Sequence, residues 1–447
     1  MAQALAPAVA PSSSRASLAV LFFLHAAAMA AYIVPLANVL RRYGISDRVI
    51  DFAFCTGGIA ALISPMIAGS LADRRLAPER LLAGLCAGSA LFLSLTFYAI
   101  EHRWGTTWVL GSMMVYALCS APGFGLLTSI ALSQLTDAPR EFGPLRAWAT
   151  WGWMVAGLGI SHVLHADSSP ASGYGAAVIF MAEAAFCLRL RPSYPAASGE
   201  PRRWRDFFGW DALQLLRHPD HRIIFLTSVI FSAILSSYYR YSVPHLEDLQ
   251  VKSPVATMSV AQLCEGITMF ALAALLTRFR LKWVLLAGLV LGAMRLGLMA
   301  TNVSHLVILS VALHGPVFVL FYPVSQLYLE QRVDTRLRAQ GQALLSLLNS
   351  GVGNLSGFIL IGKWHSVCTT AGVVDWTRFW TPLSLGAAGL SVFFPGHLSR
   401  TEAQYSLTSH DVIQKAPWSQ PRIIPAATVS LVPASMRIKL PVMRFLE

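Results

Sequence analysis

The sequence predicts an all-α membrane protein, in which twelve transmembrane helices form two six-helix halves, and three observations support this fold class. First, 55% of the 447 residues are hydrophobic and only 13% are charged, whereas soluble domains carry about 25% charged residues. Second, the apolar residues form twelve runs close to the roughly 20 residues that a helix needs to cross a bilayer. Third, a polar stretch separates the sixth run from the seventh. The composition excludes a multidomain soluble protein, a disulfide scaffold and a nucleic-acid-binding protein.

The twelve runs are each interpreted as one helix. The first run resembles a secretory signal, because Arg15 precedes it and Ala28–Met29–Ala30 is similar to a cleavage site. Its length of about 22 residues, however, exceeds the apolar region of a signal peptide. The predicted helices span 17–38, 49–71, 81–100, 107–132, 146–165, 172–189, 223–245, 256–277, 283–300, 304–328, 340–362 and 377–396.

The distribution of Lys and Arg among the loops predicts the orientation. The loops that follow helices 2, 4, 6, 8 and 10 contain 18 basic residues, and those that follow the odd-numbered helices contain 7. Because basic loops stay on the cytoplasmic side, both termini are expected in the cytoplasm. The expected division is a cytoplasmic segment (1–16), an N-terminal half (17–190), a cytoplasmic linker (191–222), a C-terminal half (223–398) and a disordered cytoplasmic tail (399–447).

The sequence lacks the motifs of the other membrane-protein classes considered. It contains neither G-x-S-x-G nor H-E-x-x-H, and no phosphate-binding G-x-x-x-x-G-K-[ST]. The six cysteines are scattered without a C-x-x-C pair, and they are interpreted as small packing residues. We therefore expect a carrier rather than an enzyme, with no metal and no cofactor.

Two six-helix halves joined by a basic cytoplasmic loop are typical of the major facilitator superfamily, whose substrate site lies near the bilayer midplane between the halves. The segment Gly69-Ser70-Leu71-Ala72-Asp73-Arg74 resembles the G-x-L-A-D-R motif of that superfamily. The resemblance implies that Gly69 lets two helices approach closely and that Asp73 and Arg74 latch the inner gate.

Four further segments resemble the nucleoside:proton symporter family of this superfamily. They are Phe142–Trp153, similar to F-P-P-I-R-x-x-G-T-x-G-[FW]; Ser259–Glu265, similar to S-x-x-Q-x-S-E; His314–Phe321; and Arg338–Gly341. The resemblance implies proton-coupled nucleoside transport. The substrate site that it implies contains Arg146, Thr150, Trp153, Ser236, Tyr239, Gln262, Glu265, His314 and Phe318.

Three features depart from the pattern of the family, and one is its polar pair on helix 7, which is Ser236 and Tyr239 in this chain. The aspartate that the family carries on helix 10, which is tied to proton coupling, is Val319 in this chain. The Trp-rich stretch of the first helix is His25-Ala26-Ala27-Ala28. An uncoupled facilitator, or a carrier of another solute such as an oligosaccharide or an aromatic acid, therefore remains an alternative.

Ionisable groups within the helices give an independent prediction, because each costs at least about 2.5 kcal/mol at a helix centre and usually faces the bundle interior. Gln262 and Glu265 share one helix face, where they can bind ribose hydroxyls and Glu265 can carry a proton. The alternative for Glu265 is a structural pair with Arg295. The groups in question are His25, Arg146, Glu183, Arg240, Glu265, Arg295 and His314.

Arg146, Thr150 and Trp153 lie on one face of the fifth helix, which suits a polar and stacking contact with solute or, alternatively, an arginine at the lipid headgroups. His314 precedes Gly315 and Pro316 in a helix expected to kink there, and it either contacts solute and relays a proton or is bonded to a backbone carbonyl. Arg240 is expected to pair structurally; the alternatives are that it binds an anionic group or closes an outer gate through Glu247 or Asp248.

The prediction as a whole is a secondary transporter that works by alternating access. It moves a nucleoside or similar solute with protons, which Glu265 and His314 carry. Its partners are the solute, protons and the lipid bilayer, with no nucleic acid, and we expect a monomer in the cytoplasmic membrane.

Overall fold

The computed structural model describes residues 15–74, 76–135, 138–192 and 211–397, and these residues are mostly α-helical. They belong to a single compact unit, Met1–Ser399. The predicted N-terminal segment, most of the predicted linker and the predicted tail lie outside the described residues.

The N-terminal half contains six helices, α1 to α6. Two of them are broken near prolines, α1 at Pro35 and α4 at Pro122, because proline removes a backbone donor. The bounds are α1 Arg15–Arg42, α2 Asp47–Arg74, α3 Pro78–Glu101, α4 Thr106–Gln134, α5 Ala138–Leu158 followed by the π-helical turn Gly159–Val163, and α6 Ala171–Arg189.

The C-terminal half contains the next six helices, α7 to α12, after a short 3-10 helix at Asp211–Arg217. Helix α10 is broken at Leu313, and α11 contains a π-helical turn at Leu347–Gly353. A two-stranded antiparallel hairpin, β1 Thr369–Thr370 and β2 Val373–Val374, joins α11 to α12. The bounds are α7 Pro219–Asp248, α8 Pro254–Arg278, α9 Leu281–Ala300, α10 Ser304–Arg332, α11 Thr335–Cys368 and α12 Trp376–His397.

The predicted fold class is confirmed, since the described chain contains one helix for each of the twelve predicted runs. Ten of these are long and apolar enough to qualify as membrane spans by length and composition. The other two, α5 and α12, have 21 and 22 residues, which is sufficient length, but polar residues within them lower their hydropathy. One such residue, Arg146, belongs to the predicted site.

The helices pack in the same way in both halves. In the N-terminal half α1 packs on α5 and α3 on α6, and in the C-terminal half α7 packs on α11 and α9 on α12. Each half has its own cluster of buried apolar side chains. The halves meet mainly where α5 contacts α8 and α2 contacts α11, so the fifth and eighth helices are placed at the centre of the interface.

Glycines allow the closest approaches within each half. A Cβ atom at Gly152 in α5 would collide with the backbone of Phe23 in α1. The corresponding contact in the C-terminal half is Gly357 in α11 against the backbone of Ala233 in α7. Small residues let helices pack closely in a membrane, and these two seams hold each half together as a unit.

Candidate functional site

A carboxylate at the interface between the halves forms the centre of the site. Thr150 of α5 donates a hydrogen bond to Oε1 of Glu265 in α8 over 3.3 Å. Arg146, one turn before Thr150, also interacts electrostatically with this carboxylate. The alternative pairing of Glu265 with Arg295 is therefore not what the structure contains, because the described partners of Glu265 come from α5. The three residues form a polar contact across the α5–α8 seam.

Two other predicted site residues lie at the same seam. Trp153 is half-buried one helical turn beyond Thr150, and Gln262 is half-buried one turn before Glu265. The amide oxygen of Gln262 is buried and has no hydrogen-bond partner. Arg146 is exposed as a whole residue, and its guanidinium carbon lies 5.8 Å from the centre of the Phe124 ring. The side chains around Glu265 therefore offer both unused polar atoms and an indole ring.

The break in α10 brings that helix against Glu265. Helix α10 consists of Ser304–Ala312 and His314–Arg332, which confirms the predicted kink. A Cβ atom at Gly315 would collide with the backbone of Glu265. Only a glycine permits this approach, and it places His314 beside the α8 face that carries the carboxylate.

His314 is bonded to an arginine that it was not predicted to contact. Nη1 of Arg295 in α9 lies 2.6 Å from Nδ1 of His314. Because a guanidinium can only donate, Nδ1 must accept, and the imidazole hydrogen then lies on Nε2. The alternative of a backbone carbonyl partner is wrong. In this arrangement a hydrogen on Nδ1 would face the guanidinium N–H, and the role of His314 in proton coupling stays a prediction.

Aromatic rings surround this pair and form one wall of the site. Tyr238 stacks on His314 with centroids 4.7 Å apart, and Tyr239 lies edge-on to it at 5.8 Å. Phe318 is 6.1 Å from His314 and 5.2 Å from Tyr322. Tyr322 was not predicted, although its position four residues after Phe318 places it on the same helix face.

Ser236 was predicted to bind substrate, which stays a prediction, and in this structure its hydroxyl is used within its own helix. The side chain is fully buried, and its hydroxyl donates to the backbone oxygen of Ala233 over 2.7 Å. It packs beneath Gly357 of α11. The residue therefore lies in the seam between α7 and α11 in this structure.

Arg240 joins the two halves at one end of the bundle. Its Nε and Nη2 atoms each donate over 3.0 Å, to Asp51 and Asp47 of α2 respectively. The hydroxyl of Tyr241 donates to Asp51 over 2.8 Å. Arg240 is thus structurally paired, as expected, and its partners are the α2 carboxylates rather than Glu247 or Asp248 of the alternative.

Other contacts close the same end. Arg41 lies 3.6 Å from Asp248. The first turn of α8 is bound by α5–α6 residues, since the backbone N–H of Val255 donates to Asp167 and that of Ala256 donates to Ser161. Such partners satisfy amides that a helix N-terminus leaves unpaired. The end that contains the α1–α2 loop is therefore sealed between the halves.

The gating motif lies at the other end of α2. The helix continues through Arg74, but the side chains of Gly69, Asp73 and Arg74 lie outside the described residues. Their predicted role as an inner latch stays a prediction.

A second polar cluster lies inside the N-terminal half. Nδ1 of His25 is 3.1 Å from Oε1 of Glu183, and both residues are fully buried. Ligand atoms of these two residues and of Cys86 lie within 4.8 Å of one another, a spacing that could hold a metal ion. This cluster joins α1, α3 and α6 and is separate from the contact between Thr150 and Glu265.

A model of the nucleoside H⁺ symporter family matches residues 13–396 of the chain. The chain belongs to this family. It is similar to the putative nucleoside transporter YegT of Escherichia coli K12, with 28% identity over 402 residues that cover 85% of this chain and 92% of the relative. It is also similar to the xanthosine permease of E. coli K12, with 29% identity over 367 residues and coverages of 77% and 86%.

The fold matches a solved structure as well. The crystal structure of the nucleoside transporter NupG superposes with a TM-score of 0.77 at 21% identity, covering 86% of this chain and 99% of the other. The protein is thus a multi-pass membrane transporter of the major facilitator fold rather than an enzyme.

Proposed function

We propose that this protein imports nucleosides together with protons by alternating access of one site between its two halves. The observation that carries the proposal is Glu265, a carboxylate on α8 that is bonded to Thr150 and lies near Arg146 on α5. Family membership over residues 13–396 supports the same activity. A proton on Glu265 removes its attraction to Arg146 and weakens the contact between the halves.

The residues around Glu265 suit a nucleoside. Ribose hydroxyls are matched by the carboxylate and by the unpaired amide of Gln262. Trp153, Tyr239 and Phe318 offer rings on which a base can stack. His314 presents its Nε2–H as a donor, fixed in that tautomer by Arg295. Proton carriage is assigned to Glu265 alone, since Val319 occupies the place of the family aspartate and is fully buried.

The transport cycle assigns the two ends different roles. With both termini in the cytoplasm, the sealed α1–α2 end faces outward and the exposed Arg146 faces an inward-open site. Gly69, Asp73 and Arg74 then form the inner latch that closes in the outward-open state. The transporter works as a monomer in the cytoplasmic membrane, because each half contains its own core and the site is complete within one chain.

Uptake of labelled uridine and adenosine into proteoliposomes, with and without an inward proton gradient, tests this function. The proposal predicts uptake that the gradient stimulates and that stops when a protonophore is added. Uptake without stimulation would support the second candidate, an uncoupled facilitator, which Val319 favours. The absence of uptake of either nucleoside would contradict nucleoside transport.

A further inference from the structure

A buried positive charge lies next to the proposed site without a counter-ion. Arg295 is fully buried, and no carboxylate is bonded to it among the described residues. Its Nη1 is bonded to neutral His314, while Nε and Nη2 have no hydrogen-bond partner. Its guanidinium carbon lies 3.8 Å from the centre of the Tyr238 ring.

These contacts do not compensate the charge fully. Removing an ion from water is costly unless it is paired and its donors are bonded. A cation–π contact returns only part of that cost, and the imidazole supplies a single acceptor. Buried arginines are normally paired, and because no described carboxylate pairs with Arg295, we expect its partner to be a bound anion.

The position of Arg295 connects it to the site. Arg295 is bonded to His314, and the His314 ring contacts Tyr238, Tyr239 and Phe318 of the aromatic wall. The described charges around the seam are then two cations, Arg146 and Arg295, and one carboxylate. The site has a net positive charge, which increases further when Glu265 takes up a proton.

We propose that the solute is bound as an anion, with its negative group in the corner formed by α7, α9 and α10, near Arg295 and the Nε2–H of His314. The chemical class is a nucleoside whose base or base substituent is ionised at neutral pH. The inference rests on the proposed function and deepens it. One proton on Glu265 and one monoanionic nucleoside also move together without net charge, so the membrane potential neither drives nor opposes their uptake.

Two uridine derivatives of almost equal size test the proposal, 5-carboxyuridine and 5-carbamoyluridine, because they differ chiefly in charge. Calorimetry on the purified full chain in detergent measures the affinity of each. The wild type is expected to bind the carboxylate at least about tenfold more tightly, as desolvated charge pairs do. Arg295→Gln is expected to bind both about equally while its affinity for the carbamoyl compound changes little.

Arg378→Gln serves as the matched control, because Arg378 is exposed on α12, away from the site, and this variant is expected to keep the wild-type preference. Equal binding of the two compounds by the wild type would overturn the proposal. A carboxylate preference that survives in a monodisperse Arg295→Gln protein would also overturn it.

Uridine uptake into proteoliposomes distinguishes a failure of the anion proposal from a failure of the proposed nucleoside transport. If wild-type protein takes up uridine but shows no carboxylate preference, the anion inference fails and nucleoside transport stands. If it neither takes up uridine nor binds either derivative, both fail together. If Arg295→Gln does not fold, the wild-type comparison of the two derivatives decides the matter.

Discussion

Two buried arginines of the C-terminal half, Arg240 in α7 and Arg295 in α9, have opposite environments. Both are 1% exposed or less. Arg240 donates to two carboxylates of the other half, Asp47 and Asp51. Arg295 is bonded to a neutral imidazole of its own half. One charge is compensated by the protein, and the other is not.

The comparison indicates a different role for each arginine. A cation that is paired across the halves stabilises one conformation and must separate when that end opens. A buried cation without a counter-ion destabilises the solute-free protein, and the binding of an anion stabilises it electrostatically. Arg240 therefore belongs to the gate, and Arg295 to solute recognition.

The largest effect is expected for Arg240→Gln, which leaves Asp47 and Asp51 without their cation. Breaking a buried pair from one side costs about 3 kcal/mol or more. We expect a lower melting temperature in detergent and a strong loss of uridine uptake. Neutralising the carboxylates as well, in Asp47→Asn/Asp51→Asn/Arg240→Gln, should restore much of the melting temperature. If Arg240→Gln alone is as stable as the wild type, the pairing of Arg240 with Asp47 and Asp51 does not hold the gate closed.

A smaller effect of the opposite sign is expected for Arg295→Gln. Because this substitution removes an unpaired charge, the melting temperature should stay the same or rise by the equivalent of about 1 kcal/mol. The addition of 5-carboxyuridine should raise the melting temperature of the wild type more than that of the variant. A marked loss of stability in the empty variant would show that Arg295 is compensated structurally, and the contrast with Arg240 would disappear.

The smallest effect is expected for Ser236→Ala. The hydroxyl is used by the backbone of Ala233 within the same helix, so its removal should cost less than about 1 kcal/mol. Uridine uptake should keep its KM. Tyr239→Phe is the informative comparison, since Tyr239 packs edge-on against His314 in the aromatic wall and the loss of its hydroxyl should raise KM. A large change in the KM of Ser236→Ala would show that Ser236 contributes to solute binding.

The sequence was sufficient to predict the helices, because the thickness of the bilayer sets the length of each apolar run. It also predicted that Arg146, Thr150 and Trp153 share one face and that Gln262 and Glu265 share another, since both follow from helical periodicity. The structure adds that these two faces contact each other through Thr150 and Glu265.

The pairing of charges could not be predicted in the same way. Arg240 and Asp51 are 189 positions apart in sequence, and only the packing of α7 against α2 makes them neighbours. The bond between Arg295 and His314 depends equally on how α9 packs on α10. Periodicity places a residue on a helix face but does not identify the helix that the face contacts.

Proton carriage by Glu265 is tested most directly by measuring two kinds of transport by Glu265→Gln in proteoliposomes. Glutamine keeps a hydrogen-bonding group for Thr150 but cannot release a proton. If Glu265 carries the proton, this variant should lose gradient-driven accumulation of uridine. It should still exchange labelled for unlabelled uridine across the membrane. Glu101→Gln, which changes a carboxylate at the membrane surface bonded to Tyr174, should retain both activities. Gradient-driven accumulation by Glu265→Gln at the wild-type level would contradict the assignment of proton carriage to Glu265.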